Sequence, residues 1–265
     1  MRVGITVPQF KEDAAPAIDV ARRAEAAGLD GVFVFDHLWP MGQPERPALH
    51  ALPLLGALAA ETNRVTLGPL VTRVSVLPAP ALVHALVTLH RILDGRFVAG
   101  LGTGDSLNRA ENEAYALGFG SVADRVQELR ECCRGLRAAG VHTWVGGMSL
   151  GVRRVAALAA DGWNGWGADP VEFAKAAAEV TAIAPRSELT WGGRVLIGRT
   201  PEAACAKLSR AGDREGLIQG TVDDLRAHLD ALTDGGASWA ICAPIDIGTD
   251  PESVELVAEA ASLAR

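Results

Sequence analysis

Residues 31–40 read GVFVFDHLWP: an apolar run that gives way to an acid, an imidazole and an indole at Asp36, His37 and Trp39. Imidazole changes charge near neutral pH, so a histidine next to a carboxylate can take, give or orient a proton. A satisfied polar residue at the rim of the fold is the plainer reading. Further along, GLGTGDSLNRAENEAYALGF sets glycines at 100, 102 and 104 among Thr103, Asp105 and Asn108. Such glycines let backbone N–H groups approach a ligand, with an acid and an amide to add polar contacts; a structural turn is the competing reading. The run superficially resembles a dinucleotide loop, but its third glycine is misplaced for G-x-G-x-x-G and no helix opens at once. In WVGGMSLGVRRVAALAADG, Val145, Gly146, Gly147 and Ser149 precede an amphipathic helix, whose first amides suit an anion such as a phosphate. A tight strand-to-helix turn would look the same.

Other chemistries find little support. His84 and His90, six apart, fall on different faces of one helix, while His50, His142 and His228 have no evident partner. No H-x-H, HExxH or paired-cysteine signature occurs, so no metal site is expected. Cys132, Cys133, Cys205 and Cys242 fit neither a disulfide framework nor a zinc site and read as buried thiols. A net charge of -7 without a basic stripe disfavours nucleic acid and anionic membrane. No apolar run reaches the roughly 18 residues of a membrane span and the N-terminus lacks an apolar leader, so a cytoplasmic protein with a small-molecule substrate is expected.

The elements that must position these residues follow a repeated unit, an Ala-rich amphipathic stretch ending in Gly or Asp-Gly and running into a short apolar strand, as in ARRAEAAGLDGVFVF and DALTDGGASWAICAP. Glycine supplies the left-handed helix stop, and a continuous apolar run suits a parallel strand buried on both faces. Strands are expected at 3–7, 31–35, 65–71, 97–101, 143–145, 162–166, 189–196 and 238–244, with helices at 14–27, 79–93, 121–138, 170–182, 221–232 and 251–263. Strict alternation over 265 residues makes this an α/β chain, a single-domain (β/α)8 barrel spanning 1–265, with an open doubly wound sheet as the structural alternative. In such a barrel the loops after the strands carry the chemistry, which places Asp36, His37 and Trp39 at the mouth.

Taken jointly, AEAAGLDGVFVFDHLWP, ETNRVTLGPLV, GRFVAGLGTGDSLNRAE, TWVGGMSLGVRRVAALAADGWNGWG and GTVDDLRAHLDALTDGGASWAI resemble the luciferase-like family of flavin- and deazaflavin-dependent oxidoreductases, and within it the branch that uses coenzyme F420. The resemblance implies a TIM barrel holding its cofactor in the C-terminal mouth, a homodimer, and hydride transfer between F420 and a small organic substrate. An FMN-dependent monooxygenase and a cofactor-binding barrel without turnover are the alternatives. By the same resemblance Asp36 and His37 take the family's Asp-His pair beside the ring. Leu70 and Val71 take the bulge with a non-prolyl cis peptide that backs it, and Thr103, Gly104, Asp105 and Asn108 a T-G-acid segment whose acid is often Glu. His37, Asp36 and Asp105 are thereby the expected catalytic residues. Val145, Gly146 and Gly147 join the others in the cofactor site, the two glycines at its phosphate. Asp36 is expected to set the His37 tautomer or raise its proton affinity where the two touch. Met41 stands where sugar-phosphate dehydrogenases of the branch carry an active-site Trp, so a sugar-phosphate substrate is not expected. Segments following Tyr115 and around 182–189 are trimmed relative to the family, implying a more open mouth.

Overall fold

The computed structural model describes residues 1–212 and 216–263. Along the chain come β1 (Arg2–Thr6), α1 (Ala15–Ala26), β2 (Gly31–Val34), α2 (Ala51–Glu61), β3 (Thr66–Pro69), β4 (Thr72–Arg73), α3 (Ala79–Leu93) and β5 (Ala99–Gly102). Next are α4 (Arg109–Ala114), α5 (Val122–Ala138), β6 (Thr143–Gly146), α6 (Leu150–Ala159), β7 (Gly162–Trp166) and α7 (Pro170–Ile183). The chain continues through β8 (Glu188–Gly198), α8 (Pro201–Ala211), β9 (Leu217–Thr221), α9 (Val222–Asp234), β10 (Trp239–Pro244) and α10 (Glu252–Leu263). Local chemistry explains many boundaries. Ser121 with Asp124 and Thr221 with Asp224 close capping boxes on α5 and α9, and Asp169 caps α7 ahead of Pro170. The chain leaves α1 at Gly28 (φ +87°) and α5 at Gly140 (φ +71°), the left-handed region where only glycine is unstrained.

The named strand pairs are parallel and run in the order β3-β2-β1-β10-β8-β7-β6-β5-β4. β3 and β4 are two pieces of the third stave, so the ring has the expected eight. It closes where Val98 N–H donates to the Leu67 carbonyl at 3.0 Å. β9 is an addition: it falls where the sequence reading places only a helix start, and it pairs with the second half of β8, from Arg194 to Gly198, outside the ring.

Two apolar layers hold the barrel. One lies between strands and helices; the other fills the ring with Phe33, Leu70, Val98, Trp144, Trp239 and Ile241. Phe33 stacks on Trp144 at 5.7 Å and meets Trp239 edge-on at 5.9 Å. Gly31 makes room for them, since a Cβ there would lie 2.8 Å from the Phe33 ring and 2.9 Å from that of Trp239. The interior is therefore packed, and chemistry is confined to the rim.

At the barrel floor, where the strands begin, His142 Nε2 lies 2.9 Å from Glu188 Oε2, and the Trp144 indole donates to the same oxygen at 2.8 Å. His142 thus has a partner that lies 46 residues away in sequence. The Glu188 hydrogen bond raises the His142 pKa against the lowering effect of burial. Burial would raise Glu188, but His142, Trp144 and Arg2 outweigh it and hold that carboxyl low. A histidine raised on folding adds stability that is fully present below its ordinary 6.5 and is lost as pH climbs through the folded value. A depressed carboxylate adds stability above its ordinary 4.5 that is lost on acidification. His142→Ala should therefore lower the urea midpoint more at about pH 5.5 than at about pH 9; an equal loss at both would remove the ionic part of the contact.

Cys132, Cys133 and Cys242 are buried, and burial pushes each thiol up to about 12; Cys205, expected inside, is exposed on α8. Among the described residues no cluster of His, Cys, Asp and Glu could hold a metal ion, and no helix is long and apolar enough to cross a membrane.

Candidate active site

The mouth is organised from the exit of β2. Gln9, fully buried, donates its amide to the carbonyls of Phe35 (2.6 Å) and Leu49 (2.7 Å) and accepts the Phe35 N–H at 2.8 Å. It fixes the point at which Asp36 and His37 leave the ring. Their side chains then part. The Asp36 carboxylate accepts the Arg73 backbone N–H at 2.8 Å and lies 3.7 Å from Arg73 Nε. Burial pushes this carboxyl above its ordinary range, against the pull of the Arg73 charge and amide. Asp36 Oδ2 faces Arg73, and His37 hydrogen-bonds a different carboxylate, so the contact through which Asp36 would act on the His37 ring is not formed.

His37 has another acid. Its Nδ1 lies 3.3 Å from Glu111 Oε2, a carboxylate delivered by the six-residue helix α4. Glu111 Oε1 accepts the N–H groups of Leu38 and of Trp39, the latter at 3.2 Å, so one side chain holds both the ring and the loop behind it. Arg73 Nη1 reaches Glu111 Oε2 and Asn112 Oδ1, both at 2.8 Å, and Asn108 Nδ2 lies 3.4 Å from Glu111. Burial alone would raise the Glu111 carboxyl; the His37 hydrogen bond, the Arg73 charge and the Leu38 amide outweigh it and hold the group low. Neither Glu111 nor Arg73 stands out in the sequence. The one signal for Glu111 is its place three residues after Asn108, one helical turn along the loop already singled out.

The peptide bond between Leu70 and Val71 is cis, as the resemblance implied. The interruption places the Val71 side chain over Gly102 and Gly146, where a Cβ would come within 2.5 and 2.7 Å of its methyls; at Gly100 a Cβ would lie 2.1 Å from the Pro69 carbonyl. Gly100 and Gly102 therefore make room for the bulge, a different role from the ligand-facing amides expected of them. Leu70 and Val71 form a ledge beside Trp166, which meets Phe35 edge-on at 5.5 Å. At the exit of β6 Gly147 spends its N–H on the Asn164 carbonyl (3.1 Å), and its own carbonyl takes the Trp163 indole at 2.9 Å. Val145 is buried in β6, and at the start of α6 the Ser149 side chain accepts the Val152 N–H at 3.4 Å, leaving the Leu150 and Gly151 amides as the first-turn donors without a helical partner.

Asp105 stays apart from the His37 cluster. Its carboxylate accepts the Leu107 N–H at 2.8 Å while Asn108 Oδ1 accepts the Asp105 N–H at 2.9 Å, a capping box on the short turn that follows. Thr103 offers its carbonyl to Arg125 Nε at 2.9 Å, and Gly104 (φ +67°) lies against Arg73, whose Cδ would be 3.3 Å from a Cβ there. These residues shape the loop that presents Glu111.

Comparison with known proteins points to one family. A family model described as luciferase-like monooxygenase matches residues 1–142. The F420-dependent glucose-6-phosphate dehydrogenase of Nakamurella multipartita is 43% identical over 114 residues, which cover 43% of this chain and 33% of that protein. Its counterpart from Beutenbergia cavernae is 46% identical over 88 residues, covering 33% and 26%. The match thus spans about a third of these curated relatives or less. Among solved structures, an F420-dependent secondary alcohol dehydrogenase in complex with an F420-acetone adduct superposes with a TM-score of 0.82 at 16% identity, covering 100% of this chain and 99% of that one. A type II Baeyer-Villiger monooxygenase of Pseudomonas putida in complex with FMN superposes at 0.72 with 14% identity, covering 97% of each chain. At such identities the superpositions establish the fold.

Proposed function

Because the chain belongs to the luciferase-like monooxygenase family, we propose that it is an F420-dependent oxidoreductase, moving a hydride between that deazaflavin and a small organic substrate such as an enone, imine, alcohol or aldehyde. The observation that carries the reading is the His37–Glu111 pair, its carboxylate buried and its imidazole partly exposed, standing at the same barrel mouth as the Leu70–Val71 ledge beside Trp166. The names of the relatives matched over 43% and 33% of the chain support the choice of F420. The residues present fit the group: Leu70, Val71 and Trp166 offer an apolar ledge to a flat ring, and the α6 amides offer donors to a phosphate.

Bound F420 would supply the carbon that accepts or returns the hydride. The chain's own part is positioning and proton management. His37, partly exposed at the rim, exchanges the proton that accompanies reaction; Glu111, Arg73 and Gln9 hold it in place, and the packed ring seals the site from below. Asp36 acts by anchoring Arg73, and Asp105 by capping the loop that carries Glu111. Glucose 6-phosphate is not carried over as substrate, since Met41, half exposed, replaces the branch's Trp. A homodimer in the cytoplasm, with residues 1–265 as one functional domain, completes the proposal.

Calorimetric titration with oxidised F420 and, separately, FMN tests it. Selective F420 binding is expected. Preference for FMN would move the protein to the monooxygenase side, and binding of neither would overturn the reading.

A further inference from the structure

His37 Nδ1 faces Glu111 Oε2 at 3.3 Å, and an ionised carboxylate can only accept a hydrogen bond. A neutral imidazole in that position must carry its proton on Nδ1, leaving the lone pair on Nε2 at the other edge of the ring. Glu111 has no freedom to turn away. Its second oxygen is held by two backbone amides, its first by Arg73, and Arg73 is held in turn by Asn112 and Asp36. The Glu111 and Arg73 side chains are only 2% and 3% exposed, so water does not compete for these bonds. The arrangement spans three loops of the mouth and converges on one ring nitrogen.

We propose that Glu111 is a positioning residue that fixes His37 as the Nδ1–H tautomer and, through the Leu38 and Trp39 amides, locks the loop that carries the ring. The proposal rests on the F420 reading for what His37 does, but not for the state of its ring. Orientation by a carboxylate of this kind sets which nitrogen meets the reactant, and loss of such partners costs on the order of 10–100-fold in activity.

Nitrogen NMR of protein labelled at its histidines, assigned through a His37→Gln spectrum, reads the tautomer without any cofactor. The wild-type protein is expected to show Nδ1 protonated and Nε2 bare at a pH where the ring is neutral. Glu111→Ala should release the ring toward the Nε2–H form and lower turnover by about 10–100-fold, with F420 affinity little changed. Should that variant fail to fold, Glu111→Asp keeps a charge near Arg73 while withdrawing it from the ring, and the same tautomer change is expected. An Nε2–H ring in the wild-type protein, or an Nδ1–H ring that persists when Glu111 is replaced, overturns the proposal. If instead the tautomer behaves as stated and F420 does not bind, the positioning role stands and the functional reading falls.

Discussion

Replacing His37 with alanine should lower turnover by about 10²–10⁴-fold, the usual worth of a positioned acid or base, while F420 affinity changes by only a few-fold. The separation follows from where the contacts lie. The ledge that would carry the ring is built from Leu70, Val71 and Trp166, and the anion corner from the α6 amides; none of these depends on the imidazole. His37 itself is tied inward through Nδ1 to Glu111 and keeps about a fifth of its side chain exposed, so Nε2 is the edge through which it can act. Turnover measured at saturating cofactor, alongside the dissociation constant, separates the two effects. Unchanged turnover would remove His37 from the mechanism, and a parallel collapse of binding would make it a cofactor ligand.

Arg73→Met should be the most destabilising single change at the site, by about 3–5 kcal/mol, because it leaves buried carboxylates without their counter-charge. Arg73 stands between Asp36 and Glu111, each carboxylate only 2% exposed, and methionine fills much of its volume without its charge. The pH dependence has a definite sign. Glu111, depressed in the native protein, adds stability above its ordinary 4.5 that is lost on acidification. Without Arg73 its carboxyl and that of Asp36 would be pushed up, so the variant should gain relative stability as acid neutralises them. The gap between wild-type and variant urea midpoints should therefore narrow from about pH 7 toward about pH 4. A gap independent of pH would mean that the lost packing, and not the charge, sets the cost.

Much of this design was legible in the chain and part was not, for a consistent reason. Helix stops at Gly28 and Gly140, the Thr221 and Ser121 caps and the apolar strands are written in neighbouring residues, and local rules read them to within a residue or two. Asp36 and His37 fall at the mouth because a strand exit in a barrel can fall nowhere else. Glu111 was out of reach. It sits in RAENEA, whose composition reads as a solvated face, and its partners in the His37 loop lie 72 to 74 residues away, with Arg73 38 away. Arg73 was concealed by the continuity of the third stave, which local pattern does not break at Leu70. Asp105 shows the converse: D-S-L-N is a capping box in its own right, and the resemblance drew attention to its charge instead. β9 escaped because its half-exposed residues lack the apolar continuity of the ring strands.

The glycine-lined interior also has an optical consequence. Of the six tryptophans, Trp144, Trp163, Trp191 and Trp239 are at most 1% exposed, whereas Trp39 and Trp166 stand half-buried at the mouth. The four sealed indoles should emit at the blue edge of the protein's fluorescence and form a background that a small quencher such as acrylamide scarcely touches. The two at the rim should form a red-edge component that a quencher reaches first. A guest entering the mouth would dim that red edge alone, shifting the remaining emission to shorter wavelength, so the colour of the change reports where the guest has gone.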